Sequence, residues 1–323
     1  MTNSWKSTLA RIRVLVHSKF HNKEWDPWPS YRRRLALMSS QRASALVSQG
    51  NLDAALREFE ESFRWHAECP KAFCSRAAAF VEMGEYELAI QDCNNTIKLK
   101  PDLVESYCNR AAGLLGIGDT VHAIEDCERA IQLRPEYYLS YNNRGFAFAV
   151  LGNYGRALED LDRAILLEPS STFAFRNRAT LAFCLRDFSK SKNDCTELLR
   201  LDPKDLSSAI WMCVVARKTG VDGTVALRER THELNLERWP GPLVRYLLGS
   251  RGEGAVLADV EPPNQNKRRE QECEAFFIFG ESALARGDQT LARKWFKKAI
   301  ATGAVNCMEL FAARSEMSRL EDA

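Results

Sequence analysis

The sequence predicts an all-α fold, a solenoid of repeated helix pairs, and three observations carry that prediction. Pro101, Pro135, Pro169 and Pro203 stand 34 residues apart. Gly50, Gly84, Gly118 and Gly152 keep the same interval, with Arg186 where a fifth glycine would fall. A fixed period of this length is the mark of a repeat architecture, because each repeat buries its apolar face against its neighbours. Composition agrees. The chain has 323 residues, 45% hydrophobic and 27% charged, which is too apolar for a disordered chain. Its 17 glycines and 11 prolines are too few for an all-β chain of tight turns. A net charge of +2 argues against a generally basic nucleic-acid-binding body.

Counting each repeat from 1 to 34, the units begin at Ala36, Pro70, Val104, Tyr138 and Thr172. Position 4 is aromatic at Phe73, Tyr107, Tyr141 and Phe175. Position 8 is small (Ala43, Ala77, Ala111, Gly145, Ala179), as is position 20 (Ala55, Ala89, Ala123, Ala157, Ser191). Small residues at both places let helices approach closely while bulkier neighbours fill the gaps. Glycine at 15 ends the first helix by taking positive φ, and proline at 32 stops the second. The first unit departs, with Ser39 at position 4 and an irregular junction before Pro70.

These residues resemble the tetratricopeptide repeat (TPR) family over residues 36–205. Tyr141, Gly145, Gly152, Ala157, Ala164 and Pro169 match its pattern best. The resemblance implies a right-handed α-α superhelical solenoid with a C-terminal capping helix. Residues 206–249 read as a degenerate sixth helical unit, with a break at Gly220 and an interruption at Trp239-Pro240-Gly241-Pro242. Residues 250–267 read as a loop or linker. Over 268–323 the pattern returns, with Phe276, Gly280, Gly287, Ala292, Phe296 and Ala299 at positions 4, 8, 15, 20, 24 and 27. An amphipathic helix over 304–320 is suited to covering the open end. This last stretch is loosely similar to the end of bacterial TPR lipoprotein adaptors, although their lipoprotein signal is missing here.

Five of the ten cysteines follow the repeat: Cys74 and Cys108 at position 5, and Cys93, Cys127 and Cys195 at position 24. Zinc ligands must converge within about 4 Å of one another. Equivalent positions in stacked repeats lie about 10 Å apart, one helix-packing distance. Small hydrophobes in a reduced core fit better, and no metal site is expected.

A charge pair repeats as well. Position 7 carries Arg42, Arg76, Arg110, Arg144 and Arg178; position 23 carries Glu58, Asp92, Asp126, Asp160 and Asp194. In the seventh unit both change together, to Phe279 and Trp295. Joint replacement is what direct contact predicts, since stranding one buried charge costs about 3–5 kcal/mol. An internal ladder of ion pairs is expected, in preference to an arginine row for anionic ligands.

Positions 2, 5, 6, 9, 12 and 13 share one face of the first helix. By resemblance this face lines a concave groove where extended peptides bind. It holds Asn109, Asn143 and Asn177 at position 6, surrounded by Leu139, Asn142, Phe146, Val150, Phe173, Arg176 and Phe183. Asparagine carries donor and acceptor, so a spaced row suits a peptide backbone, with the aromatics forming side-chain pockets. Alternatively these asparagines cap a neighbouring helix or solvate the face. The family's carboxylate clamp for chaperone C-terminal tails needs lysines, asparagines and an arginine where this chain has Ser40, Ser44, Ser75, Glu105 and Asn109. Chaperone-tail binding is disfavoured.

Enzyme motifs and their cofactors are not expected. His232-Glu233 has no second histidine at zinc-protease spacing, and Gly252-Glu253-Gly254 lacks a third glycine. Residues 1–40 hold eight lysines and arginines against Glu24 and Asp26, leaving the remainder net acidic. Trp5, Leu9, Ile12, Val16 and Phe20 recur at helical spacing, so residues 1–35 form a basic amphipathic segment. It either touches anionic lipid or nucleic acid, or caps the first repeat. No signal-peptide run and no stretch of about 20 apolar residues occurs, so a cytoplasmic location is expected. The sequence therefore predicts a non-catalytic protein-interaction adaptor, with a membrane- or nucleic-acid-associated scaffold or a regulatory subunit of an enzyme complex as alternatives. No small-molecule substrate is implied.

Overall fold

The computed structural model describes residues 29–231, 235–260 and 264–322, which form seventeen helices and no strand. The chain divides into two compact units, one ending at Gly113 and one beginning at Leu114. Residues 1–28 and His232-Glu233 lie outside the described residues.

The first unit holds α1 (Pro29–Ser48), α2 (Leu52–Trp65), α3 (Pro70–Met83), α4 (Tyr86–Leu99) and most of α5 (Val104–Ile117). Helix α1 packs on α2 and α3, and α3 on α4. Residues 29–35, expected to belong to the basic N-terminal segment, are the first two turns of α1. The second unit continues the pairing with α6 (Thr120–Leu133), α7 (Tyr138–Val150), α8 (Tyr154–Leu167), α9 (Thr172–Cys184) and α10 (Phe188–Leu201).

The turn between paired helices is built the same way from repeat to repeat. At Gly84 the backbone enters the left-handed region, φ 73°, and the next N–H, of Glu85, donates back to the Phe80 carbonyl at 2.8 Å. The following residue caps the second helix. Asn51, Asp119, Asn153, Asp187 and Asp288 each accept from a backbone N–H three residues on. Proline closes the unit, and the residue before it is extended, as at Lys100 (φ −146°, ψ 85°). Tyr107 and Tyr141 hydroxyls donate to the Pro101 and Pro135 carbonyls, both at 2.9 Å, tying position 4 to the preceding stop.

Beyond Pro203 the architecture changes. α11 (Leu206–Lys218) and α12 (Thr224–Arg230) form the degenerate unit, followed by α13 (Gly241–Leu247) and α14 (Glu253–Ala258). The stretch expected to be a linker is therefore helical over Glu253–Ala258. Its Val256 and Val260 stand four residues apart and are both buried, Val256 in the main core, so burial of one apolar stripe overrides the local glycines. The seventh unit is α15 (Gln265–Ala285) and α16 (Gln289–Ala301), closed by α17 (Met308–Asp322). One hydrophobic cluster runs from Ala179 and Phe183 through α11 to Leu320, so the C-terminal helices share a core with α9.

Arg186 occupies the fifth glycine position and adopts φ 63°, the one positive-φ non-glycine among the described residues. A side chain there costs roughly 1–2 kcal/mol of backbone crowding, against about 0.5–1 kcal/mol of extra entropy that glycine would lose on folding. Arg186→Gly is expected to raise unfolding stability by about 0.5–1 kcal/mol in urea titration; a lower midpoint would contradict the strain.

Candidate protein-binding groove

The repeated charge pairs lie between the two helices of a unit. Arg76 meets Asp92 through two hydrogen bonds of 2.7 and 2.8 Å, with side chains only 5% and 2% exposed. Arg144 and Asp160 make two of 2.8 Å, and Arg178 meets Asp194 at 2.6 and 2.9 Å while also holding Asp162. Arg42 and Glu58 pair at 2.8 Å in the open, the arginine 54% exposed. Arg110 donates to Asn94 at 2.7 Å, and Asp126 belongs to the other compact unit. Burial pushes the Asp92 carboxyl above its ordinary range even with Arg76 beside it. In the seventh unit the same two positions hold Phe279 against Trp295, ring centroids 5.2 Å apart. Arg76→Ala is expected to cost about 3–5 kcal/mol of stability, while Arg42→Ala costs under about 1 kcal/mol. Equal losses in chemical denaturation would refute the distinction.

On the first-helix face, the asparagines connect repeats. Asn109 Nδ2 donates to the Cys74 carbonyl at 3.1 Å, and Asn177 Nδ2 donates to Asn142 Oδ1 at 3.0 Å, each reaching back 35 residues. Asn142 in turn donates to Asn143 Oδ1 at 3.1 Å. Asn109 and Asn177 thus each commit a donor to the preceding repeat. Arg176 pairs with Asp205, the N-cap of α11, at 2.7 Å.

Two of the three aromatics placed by the sequence on an open groove are covered too. Phe183 is fully buried, ringed by Phe188, Trp211 and Phe277 at 5.4–6.1 Å, and Phe146 packs edge-on against Phe311 at 5.9 Å. What covers Phe146 is α17, the helix expected to cap the open end. It packs on α15 and α16 of its own unit, as a capping helix does, and also lies against α9, with Ser315 Oγ donating to the Cys184 carbonyl at 3.2 Å and Arg319 donating to the same oxygen. Trp211 Nε1 donates to Glu309 Oε1 at 2.8 Å. Lys218 Nζ bridges Glu281 at 2.9 Å and Glu316 at 3.2 Å. Leu139, Asn143, Val150 and Asn177 remain half-buried, and Phe173 is 58% exposed.

Residues 40–103 match the family model for the tetratricopeptide repeat. That stretch is tetratricopeptide repeat, and the all-helical fold is that of TPR solenoids. Its fold is similar to that of a thermophilic TPR protein of Thermus thermophilus, with 19% identity and a TM-score of 0.53, covering 56% of this chain and 98% of that one. A TPR protein of Parabacteroides merdae aligns over 90% of this chain and 100% of its own at 16% identity and TM-score 0.44. The type IV pilus biogenesis factor PilW aligns over 83% and 93% at 14% identity and TM-score 0.47. No curated protein matches the sequence.

Sequence reasoning missed the docking of α17 on α9 and α11, yet a signal was present. Glu309, Ala313, Glu316 and Leu320 follow i, i+4, i+7, i+11, one stripe of a helix. Two carboxylates inside an apolar stripe demand specific partners, and Trp211 and Lys218 supply them. The cysteines behave as packing: nine of ten are buried, and burial pushes the Cys74 and Cys195 thiols up to about 12. No helix among the described residues is long and apolar enough to cross a membrane.

Burial, with the charge of Glu316 adding and Lys218 opposing, pushes Glu281 up to about 7. Burial and then Glu309 push Glu274, which accepts from Trp239 Nε1 at 2.7 Å, up to about 8. Carboxyls raised on folding stabilise while protonated, so their contribution is complete below the ordinary glutamate range and is lost as pH rises through 7 to 8. The urea midpoint is expected to fall between pH 6 and pH 8. Glu274→Gln combined with Glu281→Gln should flatten that slope; an unchanged slope would contradict the assignment.

Proposed function

We propose that this chain is a non-catalytic adaptor that holds a segment of a protein partner on the face formed by the first helices of its repeats. The observation that carries the reading is α17 itself. An amphipathic helix lies on residues of α7, α9 and α11, so the surface has the width, the apolar floor and the polar anchors that a helix or peptide segment requires. Phe173 stands on the same face and is exposed, a large aromatic with no partner in the core. The absence of a matching carboxylate clamp speaks against a chaperone tail as the ligand. Buried, protonated thiols support a reducing, cytoplasmic setting.

The test is site-specific photo-crosslinking in cells. A crosslinking residue at Phe173 is expected to give a discrete protein adduct. The same residue at Leu166, 70% exposed on the second helix of its unit, is expected to give none. Identical adducts from both positions, or none from Phe173, would defeat the groove.

A further inference from the structure

The docking of α17 on α9 and α11 is rich in polar contacts. Paired helices of the repeats meet through alanine, glycine and large apolar side chains, with one recurring Arg–Asp pair. Helix α17 adds a row of polar ties to its apolar contacts: Glu309 to Trp211, Ser315 and Arg319 to the Cys184 carbonyl, and Glu316 to Lys218. Such ties fix register and orientation more than they hold, because water satisfies the same groups when the helix leaves. Its buried apolar side chains are Met308, Leu310, Met317 and Leu320 with two alanines, and Phe311 packs on Phe146. The helix follows α16 after a short turn over residues 302–307, in which Gly303 takes φ 64°, and packs on α15 and α16, with Arg293 donating to the Leu320 carbonyl.

The docked state also leaves a polar group unsatisfied. Glu281 is 4% exposed and faces α17. Its Oε2 binds Lys218, which is shared with Glu316, while Oε1 has no hydrogen-bond partner among the described residues. Glu316 brings a second carboxylate to a place where ionised Glu281 requires a donor. A helix that presented a donor there would complete the network that α17 leaves open.

We propose that α17 is a displaceable self-ligand, and that the groove's external ligand is an amphipathic helix of a protein partner that offers a carboxylate to Trp211 and a hydrogen-bond donor to Glu281. This rests on the adaptor reading and names its partner and its regulation. Because α17 is tethered, it competes at an effective concentration in the millimolar range, so a partner must either bind tightly or arrive when α17 is weakened. The chain is then closed to casual helices and open to one with the right polar pattern.

Two measurements on the full chain test this. In the first, the probe is a fluorescent synthetic peptide of residues 308–322, titrated against the unmodified chain and against Ser315→Ala/Arg319→Ala, whose own helix has lost its ties to Cys184. The peptide is expected to bind the double variant about tenfold more tightly than the unmodified chain. A Glu316→Gln peptide, which keeps an acceptor for Lys218 and gains a donor for Glu281, is expected to bind severalfold more tightly than the unaltered peptide. Equal affinity for both chains, or weaker binding of the Glu316→Gln peptide, overturns the proposal. The second measurement, hydrogen exchange on the unmodified chain, stays informative even where the double variant is poorly folded. Amides of α17 are expected to exchange through a local opening at least about tenfold faster than those of α15. Exchange of α17 only with global unfolding makes it a fixed part of the core and overturns the idea. Crosslinking at Phe173 that succeeds while both measurements fail leaves the adaptor reading standing without its self-ligand.

Discussion

A methyl group at Gly145 would sit 3.0 Å from the Leu161 side chain and 3.1 Å from the Ala157 carbonyl. At Gly280 the same methyl would strike the Phe296 ring at 2.4 Å. Helix against helix at the distance of a missing side chain is the constraint on which every repeat depends. With positions 8 and 20 reduced to alanine, glycine or serine, position 24 falls into a closed pocket. Phe59, Cys93, Cys127, Leu161, Cys195 and Phe296 all occupy it and none is exposed. A pocket of that kind fills with whatever apolar volume fits, and a thiol held protonated by burial is one such filler.

The same spacing brings positions 7 and 23 together, and two chemistries satisfy the contact. Arg76 with Asp92 uses a desolvated, doubly hydrogen-bonded pair stacked against the Phe63 ring at 4.4 Å; Phe279 with Trp295 uses ring contact alone. A buried ion pair and a packed hydrophobic pair are nearly equivalent in stability, whereas either half alone is costly. This is why the two positions change together and why the arginines do not form an anion-binding row.

The first-helix face obeys a different logic, because its fate depends on what lies over it. Asn109 and Asn177 commit their amide donors to the preceding repeat, and Phe146 and Phe183 are covered by later helices. Helix α17 lies over part of this face. Polar ties from Trp211, Lys218 and the Cys184 carbonyl set the register of α17, while Glu281 is left with one oxygen unmet. Phe173 is what the groove still presents.

Local chemistry made the repeat legible. Glycine at position 15, its Asn or Asp neighbour as N-cap and proline at 32 each act over a few residues, so the helix pairs, their ends and the facing charges of positions 7 and 23 follow from sequence alone. Arg186 shows how strong that frame is, since it takes the glycine's backbone geometry at a cost. Helix α14 was not legible, because so short a segment is helical only where a core waits to bury Val256. The place of α17 was not legible either. An amphipathic helix announces that it has an apolar face, but which surface buries that face is decided by contacts across 98 to 135 residues of chain, as from Glu309 to Trp211 and from Arg319 to Cys184. Periodicity encodes neighbours in the repeat; only the closed tertiary structure decides which distant helix fills the groove.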